Sequence, residues 1–199
     1  ENNLDAKQTL ASMRISQRNP EACIIIEGVY DEVYTAYKDN QAKPIISMAD
    51  GKAGDNTSNK EKDLPDPSFL LQTCKLLIEC AQDKADLATK AMDLLTLLLN
   101  ENDEDPELWF VMGMGALACQ PREKDSAKDA FMKSRALIEK SIERMEEKEG
   151  LGEDDDDAQM GSEEWQSYLE LIDQQLSTLE IEDDEDQWED IEEEEEEEG

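Results

Sequence analysis

A chain of 199 residues is long enough for one domain with appendages, but with 5% aromatic residues and a mean hydropathy of −0.77 only part of it builds a core. Its 53 acidic and 19 basic residues leave a net charge of −34, which repels nucleic acid and anionic membrane surfaces and makes a basic partner the natural complement. The absence of histidine removes the commonest general base, any His-dependent triad and any His-ligated zinc site.

In chain order, Leu4, Leu10, Ala11, Met13 and Ile15 among polar residues predict a helix over 4–15. Asn19-Pro20-Glu21 opens a second helix with a capping side chain, a proline in the first turn and an acid beside the positive helix end. That helix carries Ala22, Ile25, Ile26, Val29, Tyr30, Val33, Tyr34 and Tyr37 at three- and four-residue spacing. Gly28 within it weakens the helical pattern, and a close contact with a neighbouring helix would account for it. Residues 41–64, with Lys43-Pro44, Asp50-Gly51 and Asp55 to Asn59, have little to bury and read as a flexible insertion. Asn56-Thr57-Ser58 matches a glycosylation sequon, taken as a chance match because no secretory leader is visible.

Asp66-Pro67-Ser68 repeats the cap-proline opening and starts a helix with Phe69, Leu70, Cys74, Leu77, Ile78 and Ala81. Leu87, Ala91, Leu95 and Leu98 then mark one face of a helix over 88–99. Asp105-Pro106-Glu107 is the third such opening, leading into 107–118 with Trp109, Met112, Gly113 and Ala116. After a turn at Gln120-Pro121 comes 126–148 with Ala127, Phe131 and Ser134. Small residues at 113, 116 and 127 permit close approach, with Trp109 and Phe131 expected to supply the bulk between the two helices. Large and small residues so placed are what a helix-turn-helix repeat of about 34 residues uses to stack on its neighbour. The reading is all-α: a tetratricopeptide-like helical-repeat solenoid of about three helix pairs over 1–150.

Beyond it, 151–161 is an acidic linker, and 162–181 is an amphipathic helix with Ser162 as cap and a stripe of Trp165, Leu169, Ile172, Leu176 and Leu179. So narrow a stripe needs a partner, and the exposed side of the last repeat is the natural one, making this a capping helix. Residues 182–199 are acidic apart from Trp188 and Ile191 and read as a disordered acidic tail. Residues 151–199 hold 24 Asp or Glu and no Lys or Arg, whereas 1–150 hold the other 29 acids and all 19 bases. The sequence starts at Glu1 without an initiator Met, so it is read as a possible fragment, and no membrane span or signal peptide is expected from what is present. Cys23, Cys74, Cys80 and Cys119 lie in apolar helical stretches without CxxC spacing, as buried thiols of a reducing compartment would.

Motifs that carry chemistry fail on context. Gly113-Met114-Gly115-Ala116-Leu117-Ala118 matches the dinucleotide fingerprint G-x-G-x-x-A, yet no strand precedes it and Pro121 follows closely; helix packing explains the glycines better. The acidic runs at 153–157 and 100–105 lack the glycine and closing glutamate of an EF-hand, so only weak divalent binding is expected. Exposed carboxylates are not buried in the way that separates two pKa values, and Ser177-Thr178-Leu179-Glu180 is a phosphorylation context that any acidic stretch contains. No enzyme, catalytic residue, cofactor or resident metal is expected.

Trp109, Met112, Gly113 and Ala116, followed by Ala127, Phe131 and Ser134, resemble the tetratricopeptide repeat. Residues 5–16 (Asp5-Ala6-Lys7-Gln8-Thr9-Leu10-Ala11-Ser12-Met13-Arg14-Ile15-Ser16), residues 105–113, and Gln187-Trp188-Glu189-Asp190-Ile191 together resemble a narrower family, the dedicated assembly chaperones of the fourth large-subunit ribosomal protein. The resemblance implies a monomeric repeat superhelix that holds a basic, aggregation-prone part of a newly made ribosomal protein. It also implies passage between cytoplasm and nucleus and release at the pre-ribosome. Carried over by repeat position, Glu107, Phe110, Met114 and Leu117 line the groove. Glu104, Asp105 and Glu107 would meet the client's cations and Phe110 its apolar parts, with Trp188 an apolar anchor in the tail. Two other classes stay open: a co-chaperone adaptor clamping an acidic chaperone terminus, which needs Lys and Asn on the groove face, and an acidic histone-binding protein.

Overall fold

Three helix entrances use one local device. Asn19 Oδ1 accepts from Glu21 N–H at 2.9 Å, Asp66 Oδ1 from Ser68 N–H at 2.8 Å, and Asp105 Oδ1 from Glu107 N–H at 2.9 Å. Each satisfies an amide that the first helical turn leaves without a carbonyl, and in each the proline between gives up an N–H that had no helical partner. The computed structural model of the protein describes residues 3–41, 65–151 and 165–180. Seven helices and no strand occur among them: α1 (Leu4–Ser16), α2 (Glu21–Gln41), α3 (Pro67–Cys80), α4 (Asp86–Glu101), α5 (Pro106–Ala118), α6 (Lys124–Leu151) and α7 (165–180). The fold is all-α with neighbouring helices packed in pairs. But for residues 41 and 151, the insertion and the acidic linker lie outside the described residues, as do Ser162 and the tail with Trp188. The chain divides into two compact units, Glu1–Leu94 and Leu95–Gly199, the division falling within α4.

In the N-terminal unit α1 packs on α2 and α3. Ile26, Val29 and Val33 of α2 and Leu70, Cys74 and Leu77 of α3 are fully or almost fully buried. Of the apolar residues that mark α1 in the sequence, Ala11 is fully buried, whereas Leu10 and Met13 are 42% and 54% exposed. Polar contacts take their place. Gln8 Nε2 donates to Phe69 O at 2.8 Å and Thr73 Oγ1 at 2.7 Å, and Lys7 pairs with Glu32. Arg18 closes α1 in the left-handed region (φ 52°), its N–H on Ile15 O and the Asn19 N–H on Arg14 O.

Gly28 corrects its expectation, because a Cβ built there meets nothing within 4 Å. No close approach requires the glycine. Gly28→Ala should therefore gain helix propensity without a clash, raising stability by up to about 1 kcal/mol, seen as a higher urea midpoint at unchanged slope.

Glu27 on α2 receives Lys84 at 2.7 and 2.8 Å on its two oxygens and also binds Lys90. Hydrogen bonds from Lys84 and then Lys90 hold its carboxyl below its ordinary 4.5. A depressed carboxyl contributes stability above its unfolded pKa and loses it as pH falls through the folded value. Glu27→Gln should thus cost about 1 kcal/mol at neutral pH, and titrating both proteins through acid should make their unfolding free energies converge below the ordinary carboxylate range. Tyr30 Oη donates to Asp93 at 3.2 Å, and burial, followed by the Asp93 charge, pushes its phenol up.

All four cysteines are buried and free, and burial pushes the Cys74 and Cys80 thiols well above the ordinary range. Among the described residues no helix is long and apolar enough to cross a membrane.

In the C-terminal unit α5 and α6 form an antiparallel pair. Ser134 Oγ of α6 donates to Pro106 O at 2.8 Å, and the Phe131 ring lies against Gly113. A Cβ at Gly113 would stand 2.6 Å from Phe131 Cε1 and 2.8 Å from Cδ1 and Cζ, so here the glycine is a packing requirement, as its spacing suggested. The second large ring is not Trp109. Phe110 meets Phe131 at 5.8 Å between centroids, while Trp109 Nε1 donates to Asp103 O at 2.8 Å and ties α5 to the loop before it. One residue's rotation around the helix, 100°, separates the two roles.

Candidate functional site

The residues assigned to a groove, Glu107, Phe110, Met114 and Leu117, recur at three- and four-residue spacing and form one stripe along α5. All four are half-buried, while Leu108 and Val111, on other faces, are 5% and 4% exposed. The stripe is therefore neither core nor open surface. Its N-terminal end is acidic. Glu104 is exposed, its N–H bonded to Asn102 Oδ1 at 3.2 Å, and Asp105 spends one oxygen capping α5. The loop from Asn102 to Asp105 thus brings acidic residues to the end of α5 that carries Glu107, where the helix end itself is positive.

What covers half of this stripe is α7. Tyr168 lies edge-on to Phe110, 5.5 Å between centroids at 81°, and its Oη donates to Glu107 Oε1 at 3.1 Å. Trp165 adds a tilted ring 6.1 Å from Tyr168. Farther along, Ile172 and Leu179 are 0% and 2% exposed, and Arg135 of α6 bonds Asp173 at 3.3 Å and Glu139 at 3.1 Å. α7 is thus a helix laid on the last pair, with Trp165, Leu169, Ile172, Leu176 and Leu179 all buried or half-buried and Tyr168 added beside them. The stripe read from the sequence passed over Tyr168, because a tyrosine among Gln, Ser and Glu looks solvated. Its spacing of i, i+4 to Ile172 was the available signal.

The structure brings Glu107 and Phe110 together under one side chain, Tyr168. Glu104 and Asp105 stand at the same end of α5, Met114 and Leu117 continue the stripe, and Trp188 lies outside the described residues. The fingerprint-like run, Gly113 to Ala118, is the second half of α5, and Gly113 is taken up by Phe131. Among the described residues no group of three or more Cys, Asp or Glu is placed to hold a metal ion, the 100–105 run included.

The arrangement is a half-buried, partly apolar stripe with acidic residues at its N-terminal end, on a pair of helices and covered in part by a third. The fold defines an all-α protein of paired helices with a further helix laid on the last pair. No family model, curated protein or solved structure matches the chain.

Proposed function

We propose that the protein is a dedicated chaperone that binds and shields a basic, newly made large-subunit ribosomal protein and escorts it from cytoplasm to nucleus, to the pre-ribosome. The observation that carries the reading is the anionic end of the α5 stripe, Glu104, Asp105 and Glu107 beside Phe110, in a chain of net charge −34. Carboxylates next to a half-buried aromatic suit a client segment that alternates cations with apolar residues. The sequence resemblance of residues 5–16, 105–113 and 187–191 supplies the ribosomal identity of that client. Exposed pairs are individually weak and screened beyond roughly 8 Å at physiological salt, so capture depends on many carboxylates acting together.

Purified large-subunit ribosomal proteins, core histones and an acidic chaperone-terminus peptide, titrated against the protein at low and high salt, test the proposal. One ribosomal protein should bind tightly and lose affinity as salt rises. Preference for histones, or for the acidic peptide, would replace the reading. Glu104→Lys should weaken client binding by about two- to fivefold with unchanged melting temperature, since that side chain is exposed. Glu107→Lys should weaken it further, and unchanged affinity in both variants would remove this end of α5 from the site.

A further inference from the structure

Two of the four buried cysteines share one place in the fold. Cys23 lies in the first turn of α2 and Cys80 is the last residue of α3, 57 positions later in the sequence. The Cys23 thiol donates to Cys80 O at 4.0 Å, and the two thiols hydrogen-bond each other. The same Cys80 carbonyl accepts the Asp83 and Lys84 N–H groups, each at 3.1 Å, so the turn that ends α3 fixes the backbone there. Both residues belong to the N-terminal unit, apart from the α5 stripe and from the function proposed above.

We infer that Cys23 and Cys80 are an oxidation site, at which a peroxide converts the two thiols to a disulfide that ties the start of α2 to the end of α3. A disulfide needs two sulfurs that face each other and can close to about 2.05 Å, and this pair already faces across the helix contact. The other two cysteines offer no such partner: Cys74 is 0% exposed in the core and Cys119 lies in the other unit. Oxidation begins at the thiol that is more open and ionises more readily. Cys23 is 8% exposed against 3% for Cys80, and burial followed by the hydrogen bond to Cys23 pushes the Cys80 thiol up. Cys23 therefore meets the oxidant and Cys80 resolves the product.

The step balances with hydrogen peroxide as the oxidant. Cys23 Sγ attacks one peroxide oxygen; the S–O bond forms, the O–O bond breaks, and the departing hydroxide takes the Cys23 proton to leave as water. Cys80 Sγ then attacks Cys23 Sγ; the S–S bond forms, the S–O bond breaks, and the hydroxyl leaves as a second water with the Cys80 proton. Two thiols lose two electrons and one peroxide gains them. The bridge closes a long loop and restricts the unfolded chain, so the N-terminal unit becomes harder to open. Thiol–disulfide exchange in a reducing compartment reverses it.

The full native chain, exposed to hydrogen peroxide, cleared of it and alkylated only after denaturation, tests the site. Trypsin cuts at Lys75 and so separates Cys74 from Cys80, and Cys23 falls in a third peptide after Arg18. Chains of monomer mass should carry a link between the Cys23 and Cys80 peptides, with Cys74 and Cys119 alkylated, and dithiothreitol should remove it. Hydrogen exchange of the α2 and α3 amides should slow by about tenfold or more in the oxidised chain. Sulfinic acid on Cys23 without a link, a link through Cys74 or Cys119, or a link between two chains overturns the inference. Equal exchange before and after oxidation equally overturns it.

Discussion

Phe131→Ala should be the most damaging single truncation in the C-terminal unit, costing about 3–5 kcal/mol. Phe131 is fully buried, heads the largest wholly enclosed side chains, and is the contact between α5 and α6 at both Phe110 and Gly113. Removing the ring deletes its transfer free energy and leaves a cavity that neither Gly113 nor the rigid helix backbones can close. Urea unfolding followed by hydrogen exchange on α5 and α6 amides measures the loss.

The same contact makes a sharper test through Gly113. Gly113→Ala gains helix propensity of about 1 kcal/mol, yet its methyl would lie 2.6–2.8 Å from a ring with no room to retreat. Overpacking of this kind costs about 1–3 kcal/mol, so the single variant should be destabilised on balance. In the Phe131→Ala background the clash is gone and only the propensity remains, so Gly113→Ala should there become stabilising. The sign change between backgrounds is the coupling between the two residues. Additive costs would mean that the helices do not meet at this point.

The contrast with Gly28 shows how far the sequence reaches. Both glycines interrupt an apolar helical stripe, where the pattern points to a close contact at 113 and would allow one at 28. Only Gly113 is one, because only it has a ring from another helix overhead. Periodicity identifies a face but not what covers it. The cap-proline openings at Asn19, Asp66 and Asp105 were legible because a cap is decided within three residues. Leu87, Ala91, Leu95 and Leu98 were legible because four apolar residues at helical spacing have to be buried, and they are.

What failed was long-range. Gln8 faces Phe69 and Thr73 while Met13 faces solvent, an inversion available only once α3 is in place. Trp109 was assigned to the helix interface for its bulk, although its indole N–H needs an acceptor and Asp103 O lies in the loop. In the candidate site, Glu107 and Phe110 were legible as a stripe. Tyr168 was not, since its partners are about sixty residues away and its neighbours are polar.

Ile172→Asp should release α7 while leaving α5 and α6 folded. Ile172 is 0% exposed, and only Leu179 is comparably buried among the described residues of α7. A carboxylate in that position loses its hydration, and breaking the apolar seat in this way costs several kcal/mol. By contrast, the α5–α6 pair is held by Phe131 against Phe110 and Gly113 and by the Ser134–Pro106 bond, none of which the substitution removes. Exchange protection should vanish over 165–180 and persist in the pair.

The consequence for binding has a definite sign. α7 holds Tyr168 over Glu107 and Phe110, so a client that uses that end of α5 competes with the protein's own helix. Its apparent affinity is its intrinsic affinity scaled by the fraction of molecules with α7 displaced, about tenfold for each 1.4 kcal/mol of docking energy. Ile172→Asp should therefore tighten binding of the basic client, and Tyr168→Phe, which keeps the ring and removes the bond to Glu107, should tighten it slightly. Weaker binding in Ile172→Asp would make α7 part of the client's seat, and equal binding would move the client off Glu107 and Phe110 altogether.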